Sequence, residues 1–330
     1  MTQKLRWGIL GVAKINERLL PAFAKAGNAE VRAIASRSLD RAKAAAKEAG
    51  IPLAYGSYDA LLDDPNIDAV YNPLPNTLHA EWTKKAVERG KHVLCEKPLT
   101  PTADEAAELV AFCRAKKRCL MDGFMWPHHP RTAHLRQFLD QGNIGQVRRV
   151  TGSFTFPMSP LDPNNIRLRG DLAGGSLLDV GCYPVYGIRW AFAEEPVRVW
   201  ASARLEHDVD VEMSGQLFFA DGRTATFDCG FTQPFRQWLE IVGEKGVAFV
   251  QDMWLPPSRA IFEVRSDRDQ DVQVHAVEGH DQIQHMIENF GRYVLEGGPV
   301  TPGPEEAVKT LRVLDALARS AREKREVSLG

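Results

Sequence analysis

The strongest constraint on the fold is an alternation of short apolar runs with longer helical segments over the first third of the chain. The apolar runs are LRWGIL, EVRAIAS, IDAVYN, KHVLCE and RCLMDG, and the segments between them, such as residues 40–49, are rich in alanine and charge. Strands that alternate with helices build a parallel sheet covered by helices on both faces. We therefore predict a doubly wound α/β domain over residues 1–123, whose last helix spans about Thr102 to Ala115 with Thr102 as its N-cap.

The pattern changes after residue 123, because between residues 146 and 276 the strands follow one another directly. The segment QLFFADGRTATFDCGF contains two alternating runs around Asp221 and Gly222, and WLEIVGEKGVAFV contains another pair around a turn. Both patterns are typical of antiparallel hairpins. We predict an α+β domain over residues 124–330 with an open-faced, largely antiparallel sheet and helices near 175–192, 280–296 and 304–325.

Composition excludes several classes of function. Lys and Arg number 41 and Asp and Glu number 43, so the surface lacks the positive charge that nucleic acid or an anionic membrane attracts. There is no signal-peptide core and no run of 18 apolar residues, so we expect a cytoplasmic protein without a membrane partner. The five cysteines form no CxxC pair and the nine histidines no HExxH motif, and we predict neither a disulfide framework nor a metal site.

Two strand ends suggest a dinucleotide site. In WGILGVAKI, Gly11 permits a tight turn and Ala13 is small enough for the backbone to approach a pyrophosphate at the start of the next helix. The second strand ends at Ser36 and Arg37, where an NAD-selective site would hold an acid. A guanidinium binds a 2′-phosphate through charge-assisted hydrogen bonds, so the pattern favours NADP over a plain turn with a solvated arginine.

Two further segments carry groups for acid–base chemistry. CEKPL places Lys97 at the carboxyl end of a parallel strand, where open sheets bind ligands, although a strand-end lysine is also typical of a solvated surface side chain. AGGSLLDVGCYPVYGIRW places Asp179 and Tyr183 four residues apart on one helix face. A tyrosine beside a lysine can transfer protons, whereas without that partner the segment would be interpreted as a core helix.

The segments GILGVAKI, ASRS, YNPLPNTLH, EKPL and GGSLLDVGCYP, in this order and spacing, resemble the glucose-fructose oxidoreductase, inositol dehydrogenase and MocA family (Gfo/Idh/MocA) over essentially the whole chain. LMDGFMWPHHPR and NIRLRGDLAGG are similar to the branch with D-xylose 1-dehydrogenases and dimeric dihydrodiol dehydrogenases, many of them NADP-dependent. The resemblance implies a Rossmann domain, a C-terminal helix that packs back on it, and an open-faced sheet that forms a subunit interface in a homodimer or homotetramer.

The resemblance also implies roles for individual residues. Lys97, before a proline that is often cis in the family, is expected beside the nicotinamide, and Tyr183 is expected to be the acid or base. Asp179, Asn165, His79 and Arg167 are the expected substrate-binding residues. The expected cofactor contacts are Gly11, Ala13, Ile15, Ser36, Arg37, Leu74, Asn76, His79, Glu96 and Lys97. The chain departs from the pattern at Asn16, which replaces the third glycine, and at Pro127, where the branch usually carries arginine.

These features together predict an NADP-dependent enzyme that oxidises the anomeric carbon of an aldose, such as D-xylose or D-glucose, to the lactone. Four alternatives remain open: a trans-dihydrodiol dehydrogenase, a sugar-ketone reductase, an aldose–aldose oxidoreductase with tightly bound NADP, and a non-catalytic NADP-sensing regulator. The presence of both Lys97 and Tyr183 argues against the regulator, because a sensor needs no acid or base there.

Overall fold

The computed structural model describes residues 3–266 and 271–329 of the chain. It divides into two compact units, one formed by Met1–His128 and Asp281–Val308, the other by His129–His280 and Lys309–Gly330. The first unit extends beyond residue 123, where the sequence placed the boundary, because a short 3₁₀ turn at Trp126–His128 packs on a helix from residues 282–296.

The first unit contains the predicted doubly wound parallel sheet. Its six strands lie in the order β3-β2-β1-β4-β5-β6, and each neighbouring pair is parallel. The order reverses between β1 and β4, and ligands of open α/β sheets bind at such a switch point, beyond the carboxyl ends of the strands. The strands are β1 (Leu5–Leu10), β2 (Ala29–Ala35), β3 (Leu53–Tyr55), β4 (Ala69–Asn72), β5 (His92–Cys95) and β6 (Leu120–Asp122).

Helices cover both faces of this sheet. The helix predicted from Thr102 is confirmed, because the Thr102 hydroxyl accepts a hydrogen bond from the Glu105 N–H at its start. The fully buried Trp7 on β1 packs against Phe23 (centroids 5.0 Å apart) and Phe290 (4.8 Å). The helices of this unit are α1 (Asn16–Lys25), α2 (Leu39–Ala49), α3 (Tyr58–Leu62), α4 (His79–Glu88), α5 (Ala103–Ala115) and, after the second unit's main segment, α8 (Gln282–Glu296).

The second unit is built on a nine-stranded sheet in the order β14-β13-β12-β11-β7-β10-β9-β8-β15. All its pairs are antiparallel except β7 with β10, which run parallel. Both predicted hairpins are confirmed. The strands are β7 (Val147–Thr155), β8 (Arg198–Glu206), β9 (Val209–Phe218), β10 (Thr224–Gly230), β11 (Leu239–Gly243), β12 (Gly246–Val250), β13 (Arg259–Ser266), β14 (Val272–Glu278) and β15 (Val327–Ser328).

Along β9, buried side chains alternate with more exposed ones, as expected of a sheet with one covered face. The covered face carries a π-helical turn, Leu177–Gly181, which leads directly into α7 (Cys182–Phe192), so the helix predicted near 175–192 begins with a wider turn. Helix α6 (Pro130–Asp140) packs on β13, and α9 (Glu305–Glu323) follows near the C-terminus. Within the described residues, no helix is both long and apolar enough to cross a bilayer.

Candidate active site

The loop after β1 has the conformation of a dinucleotide turn. Gly11 adopts φ +119°, which L side chains rarely adopt, and a Cβ atom there would lie 3.3 Å from Leu74 Cδ2. Asn16, which occupies the third glycine position, is buried, and its Nδ2 donates a hydrogen bond to the Gly11 carbonyl oxygen (2.9 Å). Asn16 therefore departs from the glycine pattern but stabilises the loop through this hydrogen bond. Ile15 caps helix α1 without a side-chain hydrogen bond and packs at the edge of the core.

A cleft of about 490 Å³ opens beside this loop, at the carboxyl ends of β1, β2 and β4. Arg37 and Arg41 are both exposed, and both line it. Arg41 lies in the first turn of α2, whose N-cap Ser38 accepts a hydrogen bond from the Arg41 N–H (3.4 Å). Arg41 is not among the residues predicted from the sequence, although its place one turn after Arg37 could have indicated it. The full lining is Gly11, Val12, Ala13, Ser36, Arg37, Ser38, Arg41, Tyr58, Pro73, Leu74 and Pro75.

Side chains from β4 and α4 organise the loop that follows β4. Asn72 Nδ2 donates to the His79 carbonyl oxygen (3.2 Å) and Thr83 Oγ1 (3.3 Å), and Asn72 Oδ1 accepts from the Leu74 N–H (3.4 Å). Asn76 begins the short 3₁₀ turn Asn76–Leu78 and is partly exposed. These hydrogen bonds fix the loop, and its residues Leu74 and Pro75 line the cleft.

His79 does not have the position expected of a ligand-binding residue. It is completely buried, its Nδ1 lies 2.8 Å from the Pro98 carbonyl oxygen, and its Nε2 lies 2.7 Å from the Leu74 carbonyl oxygen. Burial lowers its pKa, against the effect of these carbonyls. Both ring nitrogens face main-chain carbonyl groups, so His79 links the loops of Leu74 and Pro98, while its expected contact with substrate or cofactor stays a prediction.

Lys97 and Glu96 follow β5 directly, on the strand next to β4. Both are partly exposed, and the Lys97–Pro98 peptide bond is cis. The buried Tyr71 on β4 donates its hydroxyl to Glu96 Oε1 (2.6 Å). The Glu96 N–H donates to the Asn72 carbonyl oxygen (3.0 Å), so main-chain pairing continues just beyond both strands. The Glu96 carboxylate is thereby fixed in position beside Lys97.

In the second unit, Asp179 and Arg167 form a close pair. Arg167 Nε donates to Asp179 Oδ2 (2.6 Å), and both side chains are partly exposed. The charge of Asp179 is the largest cause that raises the pKa of Arg167, burial opposes it, and the charge of the Tyr183 phenolate adds to the rise. The structure therefore brings three predicted residues, Arg167, Asp179 and Tyr183, into one electrostatic cluster.

Tyr183 is only 5% exposed and lies among aromatic rings. The Phe154 ring is 5.1 Å away in an edge-on arrangement, and the Trp254 ring is 6.0 Å away. Trp254 is held by a hydrogen bond from its Nε1 to the Ser153 carbonyl oxygen (2.9 Å). The phenol ring is thereby fixed at the start of α7, where its hydroxyl can serve a reaction without rotating away.

The segment before this cluster is held by Asn165 and Asp210. Asn165 Oδ1 accepts a hydrogen bond from the Arg167 N–H (3.1 Å), which fixes the turn that carries Arg167. Asp210 Oδ2 accepts from Ser176 Oγ and from the Leu177 N–H, both at 2.6 Å, at the start of the π-helical turn. Asp210 could not be predicted from the sequence, because its partners lie more than 30 residues away.

Two family models match the chain. One, described as an oxidoreductase family with an NAD-binding Rossmann fold, matches residues 5–124, and the other, the GFO/IDH/MocA C-terminal domain, matches residues 132–249. The chain belongs to the Gfo/Idh/MocA oxidoreductase family. The resemblance inferred from the sequence motifs is therefore confirmed, and so is the predicted fold class.

Three relatives show how this member of the Gfo/Idh/MocA family compares with known proteins. A D-xylose 1-dehydrogenase (NADP⁺) of Haloferax volcanii is 39% identical, over 96% of this chain and 97% of the relative. A 3-ketoreductase of Actinomadura kijaniata, solved with NADP and TDP-benzene, is 34% identical with a TM-score of 0.89, over 96% and 98%. An aldose–aldose oxidoreductase of Caulobacter crescentus, solved with glycerol, is 28% identical with a TM-score of 0.89, over 99% and 100%.

The first unit fits the dinucleotide that its fold implies. A side chain at residue 11 would meet Leu74, so this position favours glycine. Because glycine has no side chain, the turn leaves room for a pyrophosphate to approach the backbone. The cleft beyond it is lined by two guanidinium groups and the hydroxyl-bearing Ser36 and Ser38. Among the residues that the structure describes, no group of three or more His, Cys, Asp or Glu is placed to hold a metal ion.

Proposed function

We propose that this protein is an NADP-dependent aldose 1-dehydrogenase, which oxidises the anomeric carbon of a sugar such as D-xylose or D-glucose to the lactone. The observation that carries the proposal is the setting of Tyr183, a buried phenol fixed by aromatic rings beside the Arg167–Asp179 pair. The similarity to the haloarchaeal D-xylose dehydrogenase, which covers nearly both chains, supports the same substrate class.

The cofactor choice follows from the cleft in the first unit. Ser36 stands where NAD-selective sites carry an acid, and Arg37 and Arg41 offer two cations for a 2′-phosphate. No carboxylate lines this cleft within the described part of the chain. These groups favour NADP over NAD, and two of the relatives are described with NADP.

In the proposed reaction Tyr183 accepts the proton of the C1 hydroxyl as base. The attraction between Arg167 and the Tyr183 phenolate is mutual, so the guanidinium stabilises the phenolate that accepts this proton. The role assigned to Lys97 in this reaction is to stabilise negative charge on a sugar oxygen through its ammonium group. When bound, NADP⁺ accepts the hydride that leaves C1. Positioned proton transfer of this kind contributes about 100-fold or more to the rate.

Asp179 has two acceptor oxygens, and Arg167 occupies one of them with its Nε–H. A carboxylate has about four acceptor positions, so Asp179 can also accept a hydrogen bond from a sugar hydroxyl, and because it is fixed by the ion pair it loses little side-chain entropy on binding. We therefore assign Asp179 to substrate orientation, with Arg167 as its support. Asn165 stabilises the same turn, because its side-chain oxygen accepts a hydrogen bond from the main-chain N–H of Arg167.

The second candidate is reduction of a sugar ketone. The Actinomadura enzyme with the same fold is a 3-ketoreductase, and a tyrosine and a lysine can serve either direction, because the base of oxidation is the acid of reduction. A substrate panel distinguishes the two. It should contain free aldoses, a nucleotide-linked keto sugar and a trans-dihydrodiol, each with NADP(H) and NAD(H), with the reduced nicotinamide followed by absorbance.

We expect turnover of a free aldose with NADP⁺, and its abolition in Lys97→Met and Tyr183→Phe with NADPH binding retained. Lys116→Met and Tyr186→Phe are matched controls: the first removes an exposed ammonium at the end of α5, the second removes a hydroxyl from α7, and the proposal gives neither residue a role. Reduction of the keto sugar without oxidation of any aldose would favour the second candidate. Near-normal aldose oxidation by both Lys97→Met and Tyr183→Phe would refute the proposed roles.

We also propose that the chain forms a homodimer or homotetramer through the second unit's sheet. Trp200 on β8 is 42% exposed and Leu205 is 65% exposed, on an edge region of that sheet. Large exposed apolar side chains of this kind are enriched at subunit interfaces. Sedimentation equilibrium tests the proposal, and a monomer at micromolar concentration would contradict it.

A further inference from the structure

Two carboxyl side chains meet at the carboxyl ends of β5 and β6, next to Lys97. Strand β6 ends at Asp122, which pairs with Cys95 in the parallel register, and Glu96 follows Cys95 directly. The Asp122 Oδ1 atom is buried and has no hydrogen-bond partner in the described part of the chain. A buried carboxylate oxygen without a donor is costly, so the arrangement favours a neutral side chain.

Gly123, the residue after Asp122, lies directly against Cys95 and Glu96. A Cβ atom at residue 123 would lie 2.9 Å from the Cys95 carbonyl oxygen and 3.3 Å from Glu96 Oε1. The chain after β6 therefore passes directly over the Glu96 carboxylate. Tyr71 already donates its single hydroxyl proton to Glu96, so it supplies no donor to Asp122.

The protonation of Asp122 follows from these surroundings. Burial, and then the charge of Glu96, raise the pKa of Asp122 to about 8, while the Gly123 N–H and the Lys97 ammonium oppose the rise. The facing thiol of Cys95 has a pKa raised by burial and stays neutral. At neutral pH Asp122 is therefore protonated, next to Glu96 and Lys97.

We propose that Asp122 is a positioning residue for Lys97, acting as a neutral carboxyl packed behind Glu96 at the end of β6. An ionised Asp122 would add a second negative charge on the sheet side of the lysine. That charge would draw the ammonium toward the strand ends and weaken its contact with the sugar oxygen. The inference rests on the proposed role of Lys97. It adds that activity at the same site should decline at alkaline pH, where Asp122 ionises.

The test compares the full-length wild type with Asp122→Asn, which is neutral at every pH, and with Asp104→Asn, which removes an exposed carboxylate from α5. The first measurement is the pH profile of kcat with the best aldose. The wild type and Asp104→Asn should lose activity as the pH rises through about 8, because Asp122 then ionises. In Asp122→Asn the decline should begin about one pH unit or more higher.

The second measurement does not depend on turnover. Lys97 is labelled with an amine-selective acylating reagent. Its labelling rate is compared by mass spectrometry with the labelling rate of Lys116 in the same sample. At about pH 9, Asp122→Asn should label Lys97 up to about tenfold faster than the wild type, because one stabilising negative charge is gone. If that variant does not fold, labelling of wild-type Lys97 relative to Lys116 should still decrease as the pH rises through about 8.

Equal labelling of Lys97 in the wild type and Asp122→Asn, or an unchanged kcat profile in an active Asp122→Asn enzyme, would overturn the inference. A labelling response without oxidation of any aldose would support the role of Asp122 and contradict the proposed function instead. The two proposals therefore fail by different results.

Discussion

Removing the two cleft guanidinium groups should change the cofactor preference without changing the reaction. Arg37 follows β2 and Arg41 lies in the first turn of α2, and both line the 490 Å³ cleft. NADP differs from NAD only in its 2′-phosphate. The variants Arg37→Ala and Arg41→Ala should therefore weaken the binding of NADP and leave the binding of NAD unchanged.

The magnitude follows from the exposure of the two side chains. A hydrogen bond to a charged group contributes about 1.5–3 kcal/mol, and because both arginines are exposed to screening by salt we take the lower end. Each substitution should then raise the KM for NADP about tenfold, and the double variant about 100-fold if the effects add. Arg41 should also contribute slightly less, because its Nη2 is shared with the Val12 carbonyl oxygen (3.4 Å).

The assay is kcat/KM for NADP and for NAD at a saturating concentration of the same sugar. Arg32→Ala is the matched control, because Arg32 on β2 pairs with Glu30 and does not line the cleft. The ratio of the two values of kcat/KM should fall in the cleft variants alone, and added salt should reduce the difference between wild type and variants. An unchanged ratio in the double variant, or a wild type that prefers NAD, would refute the reasoning about Arg37 and Arg41.

Two further predictions concern the second unit's charge cluster and a buried histidine. Arg167→Met should lower kcat/KM about tenfold or more, by removing a charge-assisted hydrogen bond to Asp179, and an unchanged kcat/KM would contradict this. His128 is buried with Asn289 Nδ2 2.9 Å from its Nδ1, and burial, then His285 and Arg292, lower its pKa from 6.5 to about 4. The neutral form is favoured in the folded state, so the contribution of His128 to the free energy of unfolding should be constant above pH 6.5 and fall by about 3 kcal/mol as the pH drops to about 4. Chemical denaturation should therefore show a smaller loss of stability between these pH values in His128→Gln than in the wild type.

The elements with strong local signals could be predicted from the sequence. Helix α5 is specified by its own residues, because Thr102 caps it and two acids lie in its first turn. The hairpin of β9 and β10 follows from alternating runs around Asp221 and Gly222. Strand β3, only three residues long and without strong hydrophobic alternation, was missed. The parallel pairing of β7 with β10 joins segments more than 70 residues apart, and no local pattern encodes it.

The candidate site shows the same limit. Gly11, Ser36 and Arg37 could be located because the carboxyl ends of parallel strands meet at one edge of a sheet. The fixed position of His79 could not, because it depends on carbonyl groups of Leu74 and Pro98 that only the folded loops bring to the ring. The π-helical turn before α7 could not be distinguished from ordinary α-helix in the sequence either, since helix type is set by packing rather than by side-chain spacing.

The measurement that tests the central claim most directly follows the hydride itself. D-xylose deuterated at C1 is incubated with NADP⁺ and the wild type, and the reduced cofactor is analysed by mass spectrometry. The account predicts deuterium in the reduced cofactor, a slower rate than with unlabelled sugar, and no transfer by Lys97→Met or Tyr183→Phe. Turnover that leaves the cofactor unlabelled, so that the hydride comes from another carbon, would contradict it.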